Sequence, residues 1–400
     1  MTRRRGALTL ALLVGAVGLT ACGSSSGSAT STTTNPPSSH SVVYTFGVAG
    51  TEGPVVQTEH EAPTPISGIV GPVVQIATSN SDTYALTSGG TVWAWGVGST
   101  GELGNGSTPL YRQAAVKVDF PEGVTITSLP NPMPFDGGLA IDSQGNAWGW
   151  GLNLTHDLCL PGGTVVARPE KIPLPHVTLG TGARTHSLLV SDGTLYACGS
   201  GQFGELGNGS TASSSTPTPV VGLPAGKIKA LTSSWGASGA LMADGAYYNW
   251  GYNQVGQLGD GTTTDSAVPV QVALPGPVDQ VFQGGSGAKN GQTIAILANG
   301  TLWMWGNGTH GQLGNGGITS SKTPSRITLP GGARAAKVAS GGYASYAIDQ
   351  SGKLWSWGRN DDGQLGTGGR GRDQLTPVST GLSLTQISST AQNAAGLRQG

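Results

Sequence analysis

Apolar and polar residues alternate in short runs along most of the chain, and one such run recurs. It is clearest at Leu302-Trp-Met-Trp-Gly306, where every second residue is aromatic and the run ends in Trp-Gly. Five residues after that glycine comes Gly-x-Leu-Gly, at Gly311 to Gly314. The same arrangement runs from Gly96 to Gly101-Glu-Leu-Gly104, from Gly199 to Gly204-Glu-Leu-Gly207, from Gly251 to Gly256-Gln-Leu-Gly259 and from Gly358 to Gly363-Gln-Leu-Gly366. Period-two alternation over so short a run predicts a β-strand with its two aromatic side chains on one face. No segment beyond the N-terminus carries a helical period.

Taking the glycine after each aromatic run as a marker gives Gly47, Gly96, Gly151, Gly199, Gly251, Gly306 and Gly358, spaced 48 to 55 residues apart. A fixed period of this size signals a repeat architecture. Six residues before six of the markers lies another glycine, at Gly90, Gly145, Gly193, Gly245, Gly300 and Gly352, between two apolar runs. That placement predicts a tight hairpin turn. Eighteen residues after several markers stands a proline, at Pro65, Pro169, Pro269 and Pro324, with Pro377 one residue late. Each unit therefore reads as strand, turn, aromatic strand, glycine-rich loop and a final strand. Such four-stranded units predict a β-propeller. The recurring aromatics and Leu103, Leu206, Leu258, Leu313 and Leu365 read as packing between blades.

The pattern apolar-x-x-Trp-Gly-x-Asn-x-x-Gly-Gln-Leu-Gly resembles the repeat of the regulator of chromosome condensation (RCC1) family, over residues 42 to 400. The resemblance implies an all-β, seven-bladed propeller. Two units depart from it: the one at Gly47 lacks Gly-x-Leu-Gly, and the one at Gly151 reads His156-Asp157-Leu158-Cys159. The run from Gln386 to Gly400 matches the start of a unit and stops where the hairpin glycine belongs. The ring is expected to close by pairing of this C-terminal strand with Val42 to Phe46, which hides two sheet edges.

Composition narrows the function. Charged residues are 10% of the chain, 20 basic against 21 acidic, so no electrostatic argument favours nucleic acid or an anionic surface. Residues 1–21 read as a signal segment, with Arg3, Arg4 and Arg5 before the apolar run Ala7 to Leu19. Leu19-Thr-Ala-Cys22 resembles a bacterial lipobox, which implies lipidation of Cys22 and anchoring outside the cytoplasmic membrane. Residues 22–41, rich in Ser, Thr and Gly, read as a flexible tether of about 25 Å. Cys159 and Cys198, in neighbouring units, are either a disulfide or two buried thiols.

Catalytic constellations do not stand out. The six histidines show no metal-ligand spacing, Asp361-Asp362-Gly363 lacks the calcium-loop spacing, and no carboxylate pair or nucleophile motif recurs. The expectation is a non-enzymatic chain with no cofactor and no metal. Function is sought where units differ, since repeat proteins keep the scaffold and vary the loops. The loop ten residues before each hairpin glycine holds Asn80, Phe135, Ala183, Trp235, Asn290, Gly342 and Thr390, with Arg184, Lys289 and Tyr343 beside them. Symmetry places these loops on one face, where Phe135 and Trp235 either bind a partner or plug the central channel.

The favoured expectation is a lipid-anchored module binding another protein through Asn80, Phe135, Arg184, Trp235, Lys289 and Tyr343. The family's secreted bacterial branch resembles β-lactamase inhibitory proteins, which points to an envelope or secreted enzyme as partner. The signal segment argues against a small GTPase, the partner implied by eukaryotic relatives. The alternative is a propeller that binds or processes cell-envelope carbohydrate.

Overall fold

The computed structural model describes residues 41–49, 58–80, 82–285, 287, 290–389 and 393–399. Residues 39–400 form one compact unit. Among the described residues there are 28 strands and one short 3-10 turn, Pro330–Gly332.

Blade 5 shows how the repeat folds. Its strands Val278–Gly284, Gln292–Leu297, Leu302–Gly306 and Ser321–Ile327 pair antiparallel in that order. The glycine of the second hairpin takes positive φ, 78° at Gly300 and 77° at Gly90 and Gly145, as a tight turn between twisted strands requires. The second strand is buried along its whole length in all six blades made this way. Both of its faces meet a neighbouring blade, so apolar and small residues fill it throughout. The outer strand, Ser214–Pro219 in blade 3 for example, is half exposed. First strands of successive sheets adjoin one another from blade 3 through blade 6 and the closing sheet to blade 1.

The expectation of seven blades is corrected by the sheet pairing. Six blades, not seven, are each built from one contiguous repeat: residues 73–117, 126–171, 177–219, 228–271, 278–327 and 335–383. The unit at Gly47 makes no blade of its own, because it supplies only two strands, Ser41–Ala49 and Thr58–Pro65. These join Gln386–Ser389 and Asn393–Gln399 in a composite four-stranded sheet that closes the ring between blades 6 and 1. Ser41 to Gly47 pair antiparallel with Gln399 to Asn393, so the joint between the two chain ends is a continuous ladder.

The Gly-x-Leu-Gly motif is a clamp between blades. The leucines Leu103, Leu206, Leu258, Leu313 and Leu365 are fully buried. The backbone carbonyl of the x residue accepts a hydrogen bond from the second-slot tryptophan of the following blade. Trp150 Nε1 reaches Glu102 at 2.9 Å, Trp250 reaches Glu205 at 3.0 Å, Trp305 reaches Gln257 at 3.0 Å and Trp357 reaches Gln312 at 2.9 Å. The final glycine leaves room for that indole: a Cβ on Gly104, Gly207, Gly259 or Gly314 would stand 2.5 to 2.9 Å from ring atoms of the same tryptophan. The x side chain caps its own turn, as where Gln312 Oε1 accepts from His310 N at 2.8 Å. The first-slot aromatics do a different job, since Trp148 and Trp355 donate within their own blades to Asp142 and Asp349.

A second belt crosses the blades nearer the opposite end. Gln280 Nε2 donates to Ala336 O at 2.6 Å, Lys337 Nζ to Thr385 O at 2.5 Å, Gln386 Nε2 to Val74 O at 2.7 Å and Gln75 Nε2 to Leu129 O at 2.5 Å. The composite sheet is thus tied to blade 6 on one side and blade 1 on the other.

Candidate functional site

At one end of the propeller, here the upper face, the first strand of each blade turns into the second and the glycine-rich loop leaves the third. The upper loops are chained by hydrogen bonds to one another's backbone carbonyls. Asn80 N donates to Phe135 O at 2.9 Å, Phe135 N to Ala183 O at 3.0 Å, Thr185 Oγ1 to Trp235 O at 2.8 Å and Trp235 N to Gly285 O at 3.0 Å. Such contacts fix the loops of blades 1 to 5 relative to one another, so the side chains they carry are preorganised.

Inside this chain of loops lies an open depression, lined among others by Asn80, Phe135, Arg184, Ser234, Gln283 and Ser389. Phe135 is half buried, and the exposed Arg184 guanidinium stacks over its ring with Cζ 4.6 Å from the centroid. Gln283 and Ser389 are each 2% exposed, and among the described residues neither Gln283 Oε1 nor Ser389 Oγ has a hydrogen-bond partner.

Two aromatic clusters flank the depression. Half-buried Trp235 packs against Phe203, centroids 5.1 Å apart, and Tyr252, 5.5 Å apart, while Phe203 and Tyr252 meet at 4.9 Å. Tyr343 lies 5.0 Å from the His310 ring, centroid to centroid, with Arg359 Cζ over the Tyr343 ring at 5.2 Å. His310 Nδ1 lies 3.0 Å from Asp373, and Arg359 pairs with Asp361.

Phe203 and His310 occupy the same repeat slot, the residue before Gly-x-Leu-Gly. Tyr252 and Arg359 share another, directly after the marker glycine. These four were not among the sequence candidates. The signal that finds them is variation at fixed repeat slots, where other units carry Thr100, Val255 or Asn307.

Of the sequence candidates, Asn80, Phe135 and Arg184 line the central depression, whereas Trp235 and Tyr343 sit in separate clusters outside it. Lys289 and Cys22 lie outside the described residues. Cys159 and Cys198 are joined in a disulfide, Cα atoms 5.3 Å apart. Two buried titratable groups lie near this bond. Burial pushes the Asp157 carboxyl up to about 7 and the His186 imidazole down to about 3; His186 Nε2 lies 2.7 Å from Ser238 Oγ. Among the described residues no group of three His, Cys, Asp or Glu could hold a metal ion, and no helix is long and apolar enough to cross a membrane.

The Regulator of chromosome condensation (RCC1) repeat model matches residues 192–241, 244–287, 299–348 and 351–395. E3 ubiquitin-protein ligase HERC2 of Mus musculus is 28% identical over 309 residues, which are 74% of this chain and 6% of that protein. The chain therefore spans only a small part of that relative. RCC1 domain-containing protein RUG3, mitochondrial, of Arabidopsis thaliana is 30% identical over 321 residues, 73% of this chain and 67% of that protein. The crystal structure of Prp20p from Saccharomyces cerevisiae, described with its binding to Gsp1p and histones, shares the fold with a TM-score of 0.74 at 20% identity, covering 89% of this chain and 91% of that one. With its clamp motif, its closing ladder and a relative matched over two thirds of its length, the chain belongs to the RCC1 repeat family.

Proposed function

We propose that this chain is a non-catalytic protein-interaction module that presents its upper face to a partner protein. One observation carries the reading: three preorganised groups, Phe135 with Arg184, Trp235 with Phe203 and Tyr252, and Tyr343 with His310 and Arg359, share one face around a depression with unsatisfied polar walls. Rigid aromatics with arginine, ringed by polar groups, make up an interface hot spot. Gln283 Oε1 and Ser389 Oγ offer hydrogen bonds that a side chain inserted by the partner would complete. That Prp20p is described with protein partners agrees with this use of the fold.

The partner is an envelope or secreted enzyme, met outside the cytoplasm, where lipid on Cys22 tethers the propeller. Ser41 opens a strand that starts at the lower end of the closing sheet. A carbohydrate platform fits less well. Trp235, Phe203 and Tyr252 meet at interplanar angles of 43°, 72° and 88°, burying ring edges in one another rather than laying out a flat surface for a sugar ring.

Affinity capture from envelope extract with the wild-type chain, against the Phe135→Ala/Trp235→Ala variant, tests the reading. A protein retained by the first and lost from the second supports it; equal retention by both, or retention of glycan alone, overturns it. For the anchor, Cys22→Ser should move the protein from the membrane to the soluble fraction, and a variant that stays in the membrane refutes lipidation there.

A further inference from the structure

We infer that the Cys159–Cys198 disulfide is a covalent substitute for the repeat's glycine–tryptophan clamp, and that it makes the seam between blades 2 and 3, with the Phe135–Arg184 pair above it, sensitive to redox state. The two cysteines stand in the two slots of the clamp. Cys159 takes the place of the final glycine of Gly-x-Leu-Gly, and Cys198 the place of the second-slot tryptophan. Cys159 even keeps the glycine backbone, with φ 58° against 61° at Gly104, 64° at Gly207 and 67° at Gly314. A non-glycine residue resists that region, so something must hold it there.

The surroundings are those of the other clamps. Cys198 pairs with Ser187 in the ladder just as Trp250 pairs with Ser238 and Trp357 with Ser345. The Asp157 carbonyl accepts from Ser187 Oγ at 2.5 Å, with Cys198 Sγ 3.9 Å away. In blade 3 the Glu205 carbonyl likewise accepts from Ser238 Oγ at 2.8 Å and from the Trp250 indole at 3.0 Å. Only the indole is missing from the cysteine seam, and the covalent bond stands where its edge would meet glycine.

Replacement at both slots explains the consequence of reduction. A dithiol reductant supplies two electrons and two protons, leaves two thiols, and is itself oxidised to a disulfide. The reduced seam then has neither clamp: Cys198 carries no indole N–H, and Cys159 keeps an unfavourable φ without the bond that enforced it. Directly above, the blade 2 and blade 3 loops are joined by the bonds of Phe135 N to Ala183 O and Gly182 N to Pro132 O, both 3.0 Å. These position Phe135 under Arg184, so loosening of the seam reaches that part of the face first.

The test compares the full-length wild type with Cys159→Gly/Cys198→Trp and with Cys159→Ala/Cys198→Ala, with and without dithiothreitol. Cys22 is retained in all three. Reduction should lower the wild-type unfolding midpoint by about 5 °C, the shift expected from opening a buried cross-link in a chain of this size. Amide exchange should quicken at residues 129–136 and 183–185 and stay unchanged at 341–343. The Gly/Trp variant, with the repeat's own clamp restored, should fold and be indifferent to reductant in both readouts. The inference is overturned if reductant shifts wild type and Gly/Trp variant alike, if exchange rises evenly over all upper loops, or if the Gly/Trp variant fails to fold while the Ala/Ala variant folds. These readouts need no partner, so they stand or fall apart from the interaction reading.

Discussion

Placing alanine at Gly314 tests the clamp on which the ring depends, and Gly316, two residues on, supplies its control. Both glycines hold positive φ, 67° and 85°. A Cβ at Gly316 meets nothing within 4 Å, whereas one at Gly314 would stand 2.7 Å from Trp357 Nε1 and 3.0 Å from its Cδ1. Trp357 is fully buried and cannot swing aside. Gly316→Ala therefore carries the backbone penalty alone, about 1–2 kcal/mol. Gly314→Ala adds overpacking of about 1–3 kcal/mol.

A double-mutant cycle then separates the two terms. Trp357→Ala alone should cost about 3–5 kcal/mol, through the cavity and the lost bond to the Gln312 carbonyl. In the Gly314→Ala/Trp357→Ala protein there is no ring left to collide with, so the combined loss should fall short of the sum by the overpacking term, about 1–3 kcal/mol. Equilibrium urea unfolding of the four proteins and of Gly316→Ala gives the cycle. Equal losses at Gly314 and Gly316, or strict additivity with Trp357→Ala, would show that the glycine is there for its turn and not for its neighbour.

Deleting residues 386–400 removes both inner strands of the closing sheet, and should leave a chain without a cooperative unfolding transition; a truncated protein that melts like the full chain refutes the closure. Asp157 and His186 should oppose one another in acid. With its folded pKa raised from 3.8 to about 7, Asp157 lowers stability as pH rises through that range, while His186, depressed from 6.5 to about 3, lowers it as pH falls through its own. Asp157→Asn should therefore expose a rise in stability between about pH 4 and pH 6.5, of up to about 1.4 kcal/mol per pH unit, and a flat profile in that variant would sink the assignment. In partner binding, Phe203→Ala should weaken capture as much as Trp235→Ala, because each ring holds the other in place; a loss confined to Trp235→Ala would show that Phe203 is only scaffold.

Much of the fold was legible because the clamp writes itself into the sequence. The indole, the carbonyl it reaches and the glycine that admits it recur at fixed spacing, so finding the motif amounts to finding the joint between blades. Blade count was less direct. The unit at Gly47 was counted as a seventh blade although it was expected to close the ring with the C-terminal strand; it and the run from Gln386 contribute two strands apiece to one shared sheet. The upper loops could be aligned by register, which placed Asn80, Phe135 and Arg184 at one mouth. Register could not show that Trp235 and Tyr343 turn away into clusters of their own, since that depends on Phe203, Tyr252, His310 and Arg359 reaching across from other loops.

The same clamp explains where variation is allowed. Within the glycine-rich loop, the leucine, the final glycine and the backbone carbonyl are committed to the next blade. The residue before the motif has no such duty and stays part-exposed on the upper face, as at Phe203 and His310, whereas the residue after the marker glycine varies but is buried at Val97, Tyr252 and Asn307. The residue type differs from unit to unit at both slots on a common scaffold, Phe203 against His310 at one and Tyr252 against Arg359 at the other. The cysteine seam is the exception that fits the rule. A committed glycine has been replaced, and the change is accompanied by a second at its partner slot and a bond between the two. A repeat protein of this kind can diversify its face residue by residue, and at this seam the joint has changed at both partner positions together.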